Sequence, residues 1–242
     1  TLILMVGVGA LSLVFGVSTA WVVTRYDFPG RRAFTWMLLL PLAMPAYIIA
    51  YVYTDLLESA GPAQSAIRGL FGWQSARDYW FPEIRSMGGA VLVMGAVLYP
   101  YVYIMARTAF KLTPVSLFET ARVHNQNLFY KVGLPLARPA IVAGLALVLM
   151  ETVSDFGTVE FFALETLTLG IFNVWLGMNS LPAAAQIASL SFVFIIVLLV
   201  LEIYARQRRR YLDTGRRNVT MRPARTTPAL GAACVAICLV PV

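Results

Sequence analysis

The chain has 242 residues, 59% of them hydrophobic and 13% charged, with a mean hydropathy of +0.73 and a formal net charge of +7. Soluble domains carry about a quarter charged residues, so the composition excludes an ordinary soluble fold and points to a bilayer. The positive balance does not read as nucleic-acid binding: basic residues avoid the apolar runs and gather in particular loops, without the interleaved aromatics of single-strand binders.

A membrane-spanning helix needs about 20 mostly apolar residues. Five regions meet that requirement, at roughly 2–24, 34–57, 88–110, 139–157 and 184–204, and a sixth begins near 228. The expected class is therefore all-α, a polytopic integral membrane protein of about five to six transmembrane helices. Residue 1 falls at the start of an apolar run without an initiator Met, and residue 242 interrupts another, which suggests a piece of a longer membrane protein.

The loops set the orientation. Segment 25–33 holds Arg25, Arg31 and Arg32; 107–138 holds Arg107, Lys111, Arg122, Lys131 and Arg138; 205–227 holds Arg206, Arg208, Arg209, Arg210, Arg216, Arg217, Arg222 and Arg225. These are 16 of the 19 basic residues, and all lie on one side if the spans alternate. The positive-inside rule makes that side cytoplasmic and puts residue 1 outside. Arg68, Arg77 and Arg85 remain outside, offset by Glu58, Asp78 and Glu83. The outer segment 58–87, with Gly61-Pro62, Trp73, Tyr79-Trp80 and Phe81-Pro82, reads as a short helix on the outer surface; 158–183 reads as a short external or re-entrant helix. The organisation expected is a transmembrane domain over 1–204, a solvated basic linker over 205–227 and the start of a further span over 228–242.

The polar segment 112–137 is long for a connection between adjacent spans. Thr113-Pro114 offers a helix start, and Pro135 and Pro139 are placed to end a short helix and restart a span. The expected shape is two short helices bent at Asn125-Gln126-Asn127, carrying Glu119 with Leu117, Phe118, Ala121, Leu128 and Phe129. A carboxylate beside apolar residues on a protruding helix suits a partner's groove; an amphipathic loop on the lipid surface fits equally well. The only histidine, His124, reads as a surface contact.

Residues 119–141, ETARVHNQNLFYKVGLPLARPAI, resemble the "EAA" loop of ABC importer permeases, through Glu119, Ala121, Leu134, Pro135, Arg138 and Pro139. Thr120 stands for the second-position Ala, Asn125 stands about where Gly is expected, and the Glu-to-Leu-Pro spacing is about three residues short. Segments 18–57, 79–107 and 134–162 resemble the first half of double-length ferric-iron permeases. The resemblance implies a MetI-like helical bundle in the bacterial inner membrane, a coupling loop formed by Glu119, Thr120, Ala121, Arg122, Asn125, Leu134 and Pro135, and a second permease half. It also implies a dimer of ABC ATPase subunits holding ATP and Mg, and a periplasmic substrate-binding protein. No cofactor is expected on this chain and no catalysis, since it lacks a Gly-rich phosphate loop. The cargo implied is ferric iron, with thiamine, phosphonate or another small solute as alternatives.

Glu151 and Asp155 are four apart near the outer end of the fourth span, with Thr152, Ser154, Gly157 and Thr158 around them. Ionisable residues in membrane helices face cavities or partners. Glu151, Ser154 and Asp155 are thus candidates to line a translocation pathway; a structural pair or an interfacial carboxylate are the other readings. Pro41 and Pro45 break the second span, as a gating hinge or a fixed bend. Cys234 and Cys238 share a helical face with nothing nearby to complete a metal site, and read as small packing residues. An ion-coupled transporter could use Glu151 and Asp155 but has no need of a docking loop; an intramembrane protease lacks its Ser–His or paired-Asp set.

Overall fold

The computed structural model describes residues 1–73, 75, 78–207 and 223–241. Helices α1 (Leu2–Arg25), α2 (Arg31–Met37), α3 (Ala46–Leu57), α4 (Pro62–Phe71), α5 (Met87–Leu112) and α6 (Val115–Val123) form the first half. Helices α7 (Leu134–Ser154), α8 (Gly157–Phe161), α9 (Leu167–Phe172), α10 (Leu181–Gln207) and α11 (Pro228–Leu239) follow. The extended pairs β1 (Tyr26–Asp27) and β2 (Ala224–Arg225) align in parallel, Tyr26 opposite Ala224, with the Thr226 hydroxyl donating to the Asp27 carbonyl at 2.9 Å.

Among the described residues, four continuous runs are long and apolar enough to cross a membrane: Leu2–Arg25, Met87–Leu112, Phe129–Ser154 and Leu181–Val200. Helix α5 is the most enclosed, with α1 and α7 laid against it, while α10 rests on α7 at the periphery. Exposed apolar side chains such as Tyr51 and Val52 on α3, and Leu190, Phe192 and Val193 on α10, would be costly against water. Lipid or another apolar helix covers such faces at no such cost.

Region 34–57 is broken at Pro41 and Pro45, as expected, and one other expected span is corrected. At the break Arg31–Ala43 and Ala46–Phe71 meet at 100°. Neither Pro41 nor Pro45 has an N–H to give, and the residue before a proline is pushed out of the α region. Met44 accordingly adopts φ −118°, ψ 138°, after a 3₁₀ turn over Leu40–Ala43. The fourth span begins ten residues before the expected 139, since the helical run opens at Phe129 and passes through both Pro135 and Pro139. Pro135 cannot donate to the carbonyl four residues back, and the chain opens there into a π turn over Phe129–Gly133, with the Leu134 N–H reaching the Phe129 carbonyl. The linker expected over 205–227 falls mostly outside the described residues, and α11, a 12-residue apolar helix, begins at Pro228.

The three central spans meet at Val102. A Cβ on Gly16 of α1 would fall 2.6 Å from Val102 Cβ, and one on Gly144 of α7 would fall 2.9 Å from Val102 Cα and 3.0 Å from the Tyr101 carbonyl oxygen. Small residues at such crossings let helix backbones approach. At Gly144 the obstacle is backbone, which cannot rotate aside. Gly144→Ala is therefore expected to destabilise the protein by about 1–3 kcal/mol, seen as a lower unfolding midpoint in detergent, whereas Ala143→Gly should cause a smaller loss. Across the same bundle the buried Ser12 hydroxyl donates to the Gly95 carbonyl at 3.4 Å, and the Tyr103 hydroxyl to the Thr35 carbonyl at 3.3 Å.

Segment 58–87 contains a short helix, α4. Its interior is polar as well as aromatic: the Tyr79 hydroxyl donates to Gln64 Oε1 at 2.6 Å and accepts from Arg68 at 3.0 Å, and Trp73 stacks between Phe71 and Tyr79 at 4.8 and 4.9 Å. Arg85 ties this segment to the bundle through an ion pair with Glu58 at 3.0 Å and a position 5.2 Å above the Phe161 ring.

Candidate coupling site

Helix α6 starts directly after Thr113-Pro114, where the Thr113 hydroxyl donates back to the Ala109 carbonyl at 3.0 Å and closes the end of α5. Phe118 is buried at 3% exposure, so it serves this chain's interior rather than a partner. Glu119, Thr120 and Arg122 are exposed and Ala121 is half-buried. The Glu119 carboxylate has no hydrogen-bond or ion-pair partner among the described residues. A carboxyl group on a short helix is thus left free to meet another molecule.

The helix ends in a Schellman motif. Gln126 N–H donates to the Ala121 carbonyl at 2.9 Å and Asn125 N–H to the Arg122 carbonyl at 3.0 Å, with Asn125 in the left-handed region at φ 51°. Glycine is the usual occupant of this position, and asparagine is the residue that best replaces it. The substitution of Asn for the Gly expected from the importer pattern therefore preserves the bend. Asn125→Val should strain the turn by about 1–2 kcal/mol, and Asn125→Gly should be close to neutral; faster proteolysis within residues 115–127 of the valine variant alone would show it.

Beyond the bend, Asn127 Oδ1 accepts from the N–H groups of Phe129 at 3.0 Å and Tyr130 at 3.2 Å, capping the helical run that becomes α7. The expected second short helix is thus continuous with the following span. Leu134 and Pro135 lie inside that run rather than in a loop. An open cleft of about 470 Å³ separates α6 from the start of α7, with Leu117, Thr120, Lys131 and Pro135 on its walls. His124 also borders it, its Nδ1 2.8 Å from the Thr120 carbonyl.

Trp21 of α1 fixes this L-shaped unit to the bundle. Its ring centroid lies 5.2 Å from that of Phe110 on α5, 6.2 Å from Phe118 on α6 and 5.1 Å from Phe129 at the head of α7. A Cβ on Gly133 would approach a Trp21 ring carbon to 2.6 Å, so the close fit requires glycine. Sequence reasoning named Phe118 and Phe129 but missed Trp21, Phe110 and Gly133. A tryptophan in an apolar run carries no mark of its role; the available signal was its place one turn before Arg25, at the same membrane level as the polar segment.

At the other end of α7 the helix stops at Ser154. Asp155 is its C-cap, its N–H donating to the Glu151 carbonyl at 2.9 Å, and the chain turns away after it at ψ 127°. Asp155 Oδ1 accepts from the Thr158 N–H at 2.8 Å and the Val159 N–H at 3.3 Å, while Oδ2 accepts from the Thr158 hydroxyl at 3.0 Å. From one residue ahead of Phe156, the N-cap position, the Asp155 carboxylate thus caps the first turn of α8. Glu151 and Ser154 are exposed. Among the described residues no cluster of three His, Cys, Asp or Glu side chains is placed to hold a metal ion, and Cys234 and Cys238 are free thiols in the apolar core.

Comparison with known proteins fits this geometry. Residues 12–212 match the family described as "Binding-protein-dependent transport system inner membrane component", and the chain belongs to that family. It is 30% identical over 149 residues to the molybdenum transport system permease protein ModB of Escherichia coli K12, covering 60% of this chain and 62% of that one. It is 31% identical over 186 residues to the sulfate transport system permease protein CysT of the same strain, covering 73% and 63%. The chain thus spans somewhat under two thirds of the length of these relatives. A bacterial ABC transporter that imports the acidic polysaccharide alginate shares the fold, with a TM-score of 0.56, 18% identity, and coverage of 87% of this chain and 78% of that one. The architecture is that of an ABC-importer permease, an all-α membrane bundle.

Proposed function

We propose that the protein is the membrane-spanning, non-catalytic permease subunit of an ATP-driven importer that receives its cargo from a periplasmic binding protein. The observation that carries this reading is α6: a short helix offering Glu119 outward while Phe118, on the same turn, is locked through Trp21 to three spans. An ATPase dimer gripping α6 would move α1, α5 and α7 with it, a rigid-body change between two states. ATP and Mg belong to that ATPase. On this reading α6 and segments 25–33 and 205–227 face the cytoplasm, residue 1 faces the periplasm, and the exposed faces of α3 and α10 meet lipid or a second permease half. Glu151 and Ser154 remain exposed candidates for the pathway wall; Asp155 supports it indirectly, by holding α8.

For cargo, a small inorganic oxyanion is favoured. The names of the relatives are molybdenum and sulfate permeases, and the carboxylate of Asp155, which would have suited a cation, is engaged in capping. Ferric iron, implied by the resemblance of segments 18–57, 79–107 and 134–162 to iron permeases, is the second reading. Uptake of labelled molybdate, sulfate and ferric iron by cells carrying the complete importer decides between them. Accumulation of an oxyanion that is lost on deleting the permease supports the first reading, and iron accumulation alone reverses the choice.

A further inference from the structure

Between the last turn of α1, the π turn and α11 lies a second cleft, about 550 Å³ and mostly apolar, walled by Trp21, Leu128, Phe129, Leu230 and Ile237. Arg25 also lines it. This arginine is only 8% exposed and has no hydrogen-bond or ion-pair partner among the described residues. The charge that reaches it from α6 is that of Arg122, another cation. A buried cation without a counter-charge is costly, and its position on the cleft wall leaves room for an anion to complete it. Asn127 borders the same cleft with its Oδ1 occupied by backbone N–H groups, which leaves its amide NH₂ to donate.

The depth of the site indicates what the anion is attached to. Arg25 is the last residue of a 24-residue apolar span, so it sits where a bilayer places its phosphates, while Leu230 and Ile237 belong to a second apolar helix beside it. Basic pockets between membrane helices at the cytoplasmic face suit anionic headgroups. We propose that this cleft binds an anionic phospholipid, its phosphate on Arg25 and Asn127 and one acyl chain along Trp21, Leu230 and Ile237. The inference requires α1 to cross the membrane, and is independent of the cargo and of α6 docking.

Trp21 makes the site observable. The permease with its ATPase would be placed in phosphatidylcholine vesicles containing either phosphatidylglycerol or phosphatidylcholine with brominated acyl chains, which quench indole fluorescence on contact. The Trp21 signal is taken as the difference between the protein and its Trp21→Phe variant. Brominated phosphatidylglycerol is expected to quench at about a fivefold lower mole fraction than brominated phosphatidylcholine, the preference worth one basic residue near the surface. Arg25→Gln should abolish the preference. Ala233→Trp, which fills the cleft from α11 and leaves Arg25 intact, should abolish quenching by phosphatidylglycerol, with the added indole corrected by an Ala233→Trp/Trp21→Phe control. Equal quenching by the two lipids, or a preference that survives Arg25→Gln, overturns the proposal. So does protection of Trp21 by millimolar inorganic phosphate, which would assign the site to a free anion. An Arg25→Gln variant that keeps its lipid preference but loses the ATPase on purification would overturn it too, by placing Arg25 at a protein contact.

Discussion

Trp21→Ala is expected to leave the protein in the membrane but to disconnect α6 from the spans. Large buried aromatics cost about 3–5 kcal/mol on truncation, and Trp21, only partly buried, should fall near the lower figure. The loss is concentrated at one place. Phe110, Phe118 and Phe129 come from three separate elements and each meets the indole, at 5.2, 6.2 and 5.1 Å, so its removal opens a void where they converge. The expected phenotype is ATP hydrolysis that continues when the partner binds but no longer depends on cargo, together with faster proteolysis between residues 115 and 127. Trp21→Phe should retain part of the coupling. Normal cargo-stimulated hydrolysis in Trp21→Ala would show that force reaches the spans by another route.

Glu119→Ala should act differently, because the residue supports nothing within the chain. It is exposed and unpaired among the described residues, so the fold and membrane level should not change. Truncating one member of a charged pair that is desolvated in an interface costs about 2–5 kcal/mol, which is a loss in partner affinity of about 30-fold or more. Retention of the purified ATPase by the permease in detergent measures it. Glu119→Gln should recover part of the loss if the partner donates hydrogen bonds, and little if it offers a cation.

The long spans were legible because apolar length is a one-dimensional property: α1, α5 and α10 fall within a few residues of the runs read from the sequence. Helix α6 was legible because polar residues interrupt those runs and Thr113-Pro114 marks its start. Angles were less accessible. Pro41 and Pro45 announced a break, but the 100° between its arms depends on what Ala50 and Leu38 pack against in the core. Pro135 and Pro139 misled in the opposite direction, since the π turn absorbs the first and α7 continues through the second. At Glu151 and Asp155 the four-residue spacing gave no sign that α7 ends at Ser154, or that the carboxylate of Asp155 accepts from the N–H groups of Thr158 and Val159 in the next helix. The bend at Asn125 was correctly placed, and the left-handed tolerance of asparagine explains why the missing glycine does no damage there.

The central claim, that α6 transmits the ATPase stroke to the spans, is tested most directly by measuring uptake and hydrolysis together. The complete importer would be sealed in vesicles with its binding protein and ATP, comparing wild type with Glu119→Ala and Trp21→Ala. Uptake should collapse in both variants, with hydrolysis lost alongside it in Glu119→Ala but persisting, no longer cargo-dependent, in Trp21→Ala. Uptake at wild-type rates in both variants would contradict the claim and make residues 115–127 an ordinary surface loop.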